Sequence, residues 1–255
     1  MGKMIKFELS KLKNQKSLFI CTGIMLASLL LNVFTYWAME SVMSEELGSM
    51  GDMGVIVGFD MITSVLQAAN NGSLTLIAGI VISIFVCSDY SQGTIKNIIA
   101  RGYSRTTVYF AKLLAVCVMT AAMFLVCVLF GFIFGTAFFG FTAPAGARWL
   151  GMLAVQLVAT VAFSAFAFFF SNLFRKMAPS IILIIVVPTV VQVVLTLIDI
   201  FAKTNLSDYW ITSVFASLAT VGVSTSRILI SLAASLLYVA AFVASGWALG
   251  RKTSY

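Results

Sequence analysis

The stretch LFICTGIMLASLLLNVFTYW, residues 18–37, is twenty residues long and contains no charged side chain. A helix of this length, rising about 1.5 Å per residue, crosses a hydrocarbon layer about 30 Å thick. Lysines precede it, as in a secretory signal, but its apolar run exceeds a normal signal core and no small-residue cleavage pattern follows. We therefore expect this stretch to remain in the protein as its first transmembrane helix.

Five further stretches have a similar length and character. The second has an apolar core of only fourteen residues, 74–87, so it must extend backwards over polar residues to span. Polar groups are costly against lipid, and we expect that half of the helix to face protein or a wet cavity. The five additional spans are predicted within residues 61–87, 108–137, 149–170, 179–200 and 228–249.

The composition of the whole chain indicates a membrane environment. Of its 255 residues, 61% are hydrophobic and 10% are charged. In soluble domains about 45–50% of the residues are apolar and about 25% are charged. Six spans of about 20 residues use roughly half of the chain, which excludes a large soluble catalytic domain on it. The predicted fold class is all-α: a polytopic membrane protein, a single domain of six transmembrane helices over residues 1–255.

Two shorter segments complete this layout. Residues 1–16 place apolar and basic side chains on opposite helical arcs, which favours a helix lying in the membrane interface, although an ordinary positive flank would contain the same lysines. Residues 201–226, between the last two spans, are semi-apolar but interrupted by Lys203, Asp208 and Gly222. We expect one or two short re-entrant or interfacial helices there, on the extracellular side.

Positive charges are unevenly divided between the two sides of this arrangement. One side has three, Arg148, Lys203 and Arg227, and the other has thirteen. The positive-inside rule then makes both termini cytoplasmic. Topology and attraction to anionic lipid account for the net charge of +7, so membrane lipid is the expected partner and nucleic acid is not. The thirteen are Lys3, Lys6, Lys11, Lys13, Lys16, Lys96, Arg101, Arg105, Lys112, Arg175, Lys176, Arg251 and Lys252.

The longest polar connection on the basic side is SDYSQGTIKNIIARGYSRTTVYFAK, residues 88–112. A linker between antiparallel helices needs only about 2–8 residues, so this connection has room for structure of its own. Gly93 and Thr94 can start a short helix in which Ile95, Ile98 and Ile99 form one apolar face. That face should dock either onto the bundle of the same chain or onto a separate cytoplasmic subunit.

At these residues the chain resembles the permease subunits of ABC-2 type ATP-binding-cassette transporters. Asp89 corresponds to the acidic residue of the family's loop, which is more usually Glu, and Gly93-Thr94 to its Gly-Thr pair. Residues 95–100 correspond to its coupling helix within the loop 89–103, and Arg105 and Lys112 to the basic residues that follow. The resemblance covers the layout of the whole chain and assigns ATPase coupling to Asp89, Gln92, Gly93, Thr94, Ile95, Lys96, Asn97, Ile98, Ile99 and Arg105.

The sequence offers no source of energy within the chain. The six apolar cores contain no Lys, Arg, Asp, Glu or His, whereas ion-coupled transporters usually have ionisable groups at mid-depth, and there is no P-loop. Active transport would therefore need another polypeptide. The resemblance implies two ATPase subunits that bind ATP and Mg, a second permease, identical or paralogous, and the bacterial cytoplasmic membrane as location. No cofactor is expected in this chain.

The compact size resembles permeases for antimicrobial-peptide immunity or amphipathic-peptide export. The resemblance thus implies an exporter of an amphipathic or hydrophobic substrate, such as a peptide or an antimicrobial, with a role in antimicrobial resistance. A passive channel or an ion-coupled secondary carrier is the alternative. Neutral polar groups avoid lipid, and a proline can shape a cavity, so we predict that the route is lined by Asn32, Gln67, Asn70, Gln156, Pro188 and Gln192.

Catalysis by the chain itself has little support in the sequence. There is no histidine, and the spans contain no pair of carboxylates and no metal-ligand cluster. The four cysteines lie in apolar runs without a CxxC spacing, which is typical of packing residues. We therefore predict a non-catalytic transmembrane subunit without a metal site.

Overall fold

The computed structural model describes residues 2–47, 60–70, 72–141, 148–219 and 223–252, apart from the side chains of 40, 43–47 and 250–252. Met1, Asn71 and residues 220–222, which the predicted segments include, lie outside this description. The described part is helical and contains no β-strand. Its α-helices are α1 (Gly2–Lys13), α2 (Lys16–Leu47), α3 (Met61–Ala69), α4 (Gly72–Ser91), α5 (Thr94–Ala100), α6 (Arg105–Phe139), α7 (Arg148–Phe174), α8 (Met177–Ala202), α9 (Ile211–Ser217) and α10 (Thr225–Lys252).

Six segments are long and apolar enough to cross a membrane, which confirms the predicted fold class. All of them extend beyond the spans predicted from hydropathy, because helices continue past the apolar stretch into the interface. The segments are Lys16–Met39, Met61–Ser91, Arg105–Phe139, Arg148–Phe174, Met177–Ala202 and Thr225–Leu249.

The second span consists of two helices, α3 and α4, separated after Asn70. Asp60 caps α3, since its carboxylate accepts hydrogen bonds from the backbone N–H and the hydroxyl of Thr63 at 2.8 and 2.7 Å. Most of α3 is buried against α6, where Gly131 and Gly135 allow close approach. A Cβ at Gly131 would overlap the side chain of Ala68, and a Cβ at Gly135 would overlap that of Ser64. This half of the span therefore faces protein, as its polar residues predict.

Helix α7 is the centre of the bundle. It packs against α3, α4, α6, α8, α9 and α10, and small residues such as Ala159, Ala162 and Ala167 are fully buried along it. By contrast, α2, α8 and α10 expose many large apolar side chains, among them Phe19, Leu197 and Leu237. In a chain with six candidate spans, these outer faces are suited to hydrocarbon or to another membrane subunit.

The connection after α8 folds back onto the bundle through a 3-10 turn (Ser207–Tyr209) and α9. The Trp210 Nε1–H donates to the Pro188 carbonyl at 3.0 Å. The Gln192 Oε1 accepts hydrogen bonds from the hydroxyls of Thr212 and Ser213 at 2.7 and 3.0 Å. Helix α8 continues past Pro188 without ending. Its Pro188 carbonyl and Gln192 side chain anchor the segment that contains α9.

Candidate functional site

Helix α5 lies at the end of the bundle where α1, the last turn of α4 and the first turns of α6 meet. We call this end, with the adjacent α7–α8 turn, the basic end, because its cations include Lys11, Lys96, Lys112 and Arg175. The predicted ATPase-coupling residues all lie here. The geometry of the basic end therefore decides which of them a partner can reach.

Glycines and a capped helix start set the course of the chain around α5. After α4, Gly93 has φ 66°, a left-handed conformation that glycine adopts without strain, and its carbonyl accepts hydrogen bonds from the backbone N–H groups of Lys96 and Asn97. Gly102, after α5, has φ 88°. The hydroxyl of Ser104 then accepts from the backbone N–H of Thr107 at 3.2 Å and caps α6.

The apolar face of α5 docks onto the chain's own bundle. Ile95 and Ile98 are buried, and Ile98 belongs to a small cluster with Met4, Val108 and Ala111. Ile99 is half-buried. The sequence left open whether this face docks onto the same chain or onto a separate subunit. The structure shows Ile95 and Ile98 buried within the same chain. Ile98 fastens α5 to α1 and α6, and of the three isoleucines only Ile99 is partly exposed.

The opposite face of α5 is polar and exposed. Its exposed residues, including the turns on either side, are Gln92, Lys96, Asn97, Ala100 and Arg101, and Arg105 is exposed at the start of α6. Gly93 and Thr94 are half-buried. A partner that binds α5 in this arrangement therefore meets a polar, positively charged surface.

A buried cluster of charges lies directly behind α5. One oxygen of the Asp89 carboxylate accepts a hydrogen bond from the ammonium group of Lys11, and the other accepts from that of Lys112. The Nζ of Lys112 also lies 3.5 Å from a carboxylate oxygen of Glu8. The side chains of Glu8, Asp89 and Lys112 are 0%, 1% and 2% exposed, respectively. The cluster joins α1, α4 and α6 and is neutral when all four groups are charged.

Its surroundings explain how a cluster with three buried charges and the 28% exposed Lys11 is tolerated. Both ammonium groups lie 5.2 Å from the centroid of the Phe85 ring, within cation–π distance. Burial lowers the pKa of Lys11, and the negative charge of Glu8 opposes that shift. A buried ion pair is retained when its partners satisfy each other, and removal of one partner is strongly unfavourable.

The family model described as ABC-2 family transporter protein matches residues 4–192. The chain belongs to the ABC-2 transporter family. The match covers α1 to α7 and the first part of α8, including the whole basic end. No curated protein matches the chain.

Family membership gives the chain a general role. An ABC-2 protein is a multi-pass membrane component of a transporter, a permease that is generally non-catalytic and works with an ABC ATPase. In this ABC-2 permease, the acidic residue of the loop is not at the surface, because the Asp89 carboxylate is enclosed by two lysines. Asp89, Ile95 and Ile98 thus position α5, whereas a partner can reach Gln92, Lys96, Asn97 and Arg105.

Sequence reasoning missed Glu8 and Lys11 as members of this site, and it treated Lys112 only as a matching basic residue. One signal was present: Glu8 interrupts the apolar arc of α1 at helical spacing between Met4 and Leu12, and all three are buried. Lys112 also lies inside the predicted span 108–137. The expected absence of charge from the six cores therefore does not extend to the ends of the spans.

The structure separates the predicted route residues of this ABC-2 permease into two groups. Asn32, Gln67 and Asn70 line one cavity of about 160 Å³, together with Tyr36 and Phe139, beside the break between α3 and α4. The others lie elsewhere and hold structural elements together. Pro188 and Gln192 anchor α9, as described above.

Gln156 is the clearest example of the second group. Its side chain is fully buried, and its amide nitrogen donates to the carbonyl groups of Leu66 and Leu218 at 3.3 and 3.0 Å. The Leu218 carbonyl lies just after α9, where helical partners run out, whereas the Leu66 carbonyl near the end of α3 also accepts from the backbone N–H of Asn70. Gln156 thus ties both short helices to α7 in the centre of the bundle.

Proposed function

We propose that this chain is the permease subunit of an ATP-driven exporter in the bacterial cytoplasmic membrane. It moves an amphipathic or hydrophobic substrate, a peptide or an antimicrobial, outward. A separate ATPase, present in two copies, binds ATP and Mg and supplies the energy. A second permease, identical or paralogous, completes the transport route. Membership of the ABC-2 family supports the role as a permease, and the resemblance of the compact chain to small peptide-export permeases supports the substrate class.

The observation that carries the proposal is the double attachment of α5. Its Ile98 packs on α1 and α6, and the charge cluster behind it joins α1, α4 and α6. Closely packed interiors transmit displacement rather than absorb it. A push on the polar face of α5 would therefore move the spans α4 and α6 together. With the basic end in the cytoplasm, as the positive-inside rule requires, this face is turned to a cytoplasmic ATPase.

The substrate class is supported by the polar cavity beside α3. Asn32, Gln67 and Asn70 provide neutral amides, and Tyr36 and Phe139 provide aromatic surface. Neutral hydrogen-bonding groups next to aromatic rings suit a substrate that is both polar and apolar, such as a peptide. The exposed apolar faces of α2, α8 and α10 offer surfaces for the second permease and for lipid.

The proposal is tested by co-purifying the chain with its ATPase and measuring ATP turnover in liposomes. Asn97→Trp places bulk on the exposed face of α5 without touching the buried isoleucines, and it should weaken ATPase binding about tenfold or more, corresponding to about 1.4 kcal/mol. Ser10→Trp is the matched control, since Ser10 is exposed on α1 at the same end. It should bind normally.

Two results would overturn the proposal. One is an intact, folded chain to which no ATPase binds. The other is an Asn97→Trp variant that transports and stimulates ATP hydrolysis like the Ser10→Trp control. Either result would mean that α5 does not receive the force.

The ion-coupled carrier is the second candidate, because the buried carboxylates of Glu8 and Asp89 could exchange protons or cations. Both lie at one end of the bundle rather than at mid-depth, and Asp89 is occupied by two lysines. Flux into proteoliposomes that follows an imposed ion gradient and ignores ATP would favour this candidate. Flux that requires ATP and the second subunit would exclude it.

A further inference from the structure

An open cleft of about 650 Å³ lies at the basic end beside α5, and its lining includes Lys96 from the polar face of that helix. It lies between the α4–α5 connection and the α7–α8 turn, so its walls come from two segments, 87–96 and 174–177, that are distant in the sequence. Its lining combines three cations with aromatic and apolar side chains. The residues used below are Tyr90, Lys96, Phe174, Arg175, Lys176 and Met177.

The cleft is positively charged. Lys96, Arg175 and Lys176 line it, and the carboxylate that borders it, that of Asp89, already binds Lys11 and Lys112. An anionic ligand would therefore meet three cations whose charge Asp89 does not offset. Cations gathered in a concave, partly apolar surface attract anions more strongly than cations spread over an open surface.

One of these cations is fixed in place. The guanidinium carbon of Arg175 lies 5.3 Å from the centroid of the Tyr90 ring. The Tyr90 hydroxyl in turn donates to the side-chain oxygen of Asn172 at 2.8 Å, which holds the ring. Arg175 also has φ 54°, so the turn itself sets the direction of this residue. A pre-positioned arginine suits the planar, bidentate recognition of a phosphate group.

Exposed apolar side chains flank the cations. Phe174 and Met177 are 40% and 41% exposed, and they lie directly before and after Arg175 and Lys176. Both belong to segments that can cross a membrane. At such a helix end, apolar side chains contact acyl chains while long basic side chains reach the headgroup layer. The cleft therefore faces the boundary where hydrocarbon and phosphate meet.

We propose that this cleft binds the phosphate headgroup of an anionic phospholipid, with its acyl chains along Phe174 and Met177. An acidic protein segment would satisfy the three cations but would leave the two apolar side chains without a matched surface. Lipid binding here does not require the chain to be an exporter, since the cleft is complete within one subunit. It is distinct from the polar face of α5, with which it shares Lys96.

The test measures lipid binding to the full purified chain by native mass spectrometry, using phosphatidylglycerol and phosphatidylcholine with the same acyl chains. The triple variant Lys96→Gln, Arg175→Gln, Lys176→Gln removes the three cations. Its matched control, Lys3→Gln, Lys13→Gln, Arg101→Gln, removes the same charge from exposed positions at the same end. We expect the chain to prefer phosphatidylglycerol, and this preference should fall about fivefold for each cleft cation removed. The control variant should keep the preference to within about twofold.

Four outcomes would overturn the proposal. They are equal binding of both lipids, equal losses in both triple variants, displacement of the lipid by millimolar inorganic phosphate, and displacement by a polyglutamate peptide. The third would identify a site for a free anion, and the fourth a site for an acidic protein segment. If the triple variant does not fold, the pair Lys96→Gln, Lys176→Gln tests the same prediction, because both side chains are exposed.

Discussion

The two ends of the bundle use charged residues in opposite ways. At the basic end, Asp89 and Lys112 are buried and bind each other within a four-residue cluster. At the opposite end, Asp208 and Arg227 form an ion pair of 2.9 Å whose side chains are 41% and 38% exposed. The distances identify both as ion pairs, but burial gives them very different energetic weight.

The two ion pairs differ in their access to water. Water stabilises each partner of the exposed pair when the other is removed, so such pairs contribute about 0–1 kcal/mol. No water replaces a missing partner in the buried cluster, so breaking it costs about 3–5 kcal/mol. The basic end is therefore held by charges. The opposite end depends on the hydrogen bond that Trp210 donates to α8 and on those that Gln192 of α8 accepts from α9.

The largest effect is expected for Lys112→Ala. This change leaves Asp89 with Lys11 alone and removes the cation beside Glu8, so the free energy of unfolding should fall by about 3–5 kcal/mol. Unfolding in mixed micelles at increasing denaturant measures it. Lys13→Ala, at an exposed position on α1, is the control and should be near neutral. Equal stability of the two variants would show that the cluster does not hold the basic end.

A smaller effect is expected for Ile98→Ala, which removes side-chain packing between α5 and the Met4–Val108 surface. The loss should be about 2 kcal/mol, at the low end for buried isoleucine, because the cluster is small. Hydrogen exchange of residues 94–100 should accelerate while α7 remains protected. Asn97→Ala, on the exposed face, should leave exchange unchanged, and acceleration in both variants would contradict the assigned packing.

At the opposite end, Trp210→Phe keeps the aromatic ring but removes the donor to the Pro188 carbonyl. The expected loss is about 1 kcal/mol, with faster exchange in α9. Tyr209→Phe is the matched control, since it removes a polar group from an exposed neighbouring side chain. Unchanged exchange in Trp210→Phe would mean that packing alone holds α9.

The smallest effect is expected for Arg227→Gln, which breaks the exposed pair. Stability should change by about 0–1 kcal/mol at low salt, and the change should vanish at high salt because exposed charges are screened. The same unfolding assay at two salt concentrations measures it. A salt-independent loss as large as that of Lys112→Ala would remove the contrast between the two ends.

Hydropathy was sufficient to predict the six spans and the amphipathic spacing of α5, because both are local properties of the sequence. Even the interruption of the second span had a local signal in Gln67, Asn70 and Gly72. The charge cluster, by contrast, had almost no local signal in the sequence. Lys11 and Asp89 are 78 positions apart, and only the packing of α1 against the bundle brings them together.

The route residues show a different limit of sequence reasoning. A neutral polar side chain in a span avoids lipid, but polarity does not indicate whether it faces a cavity or a backbone carbonyl. Gln67 and Gln156 are chemically identical, yet Gln67 lines a cavity and Gln156 ties two helix ends to α7. Only the position of the helix ends distinguishes them.

The charge cluster also orders events during synthesis. Chains are made from the N-terminus, so α1 leaves the ribosome before α4 and α6. Its Glu8 and Lys11 contact Lys112 and Asp89, which are translated much later. Helix α1 therefore cannot complete its ion pairs until the start of α6 has been translated.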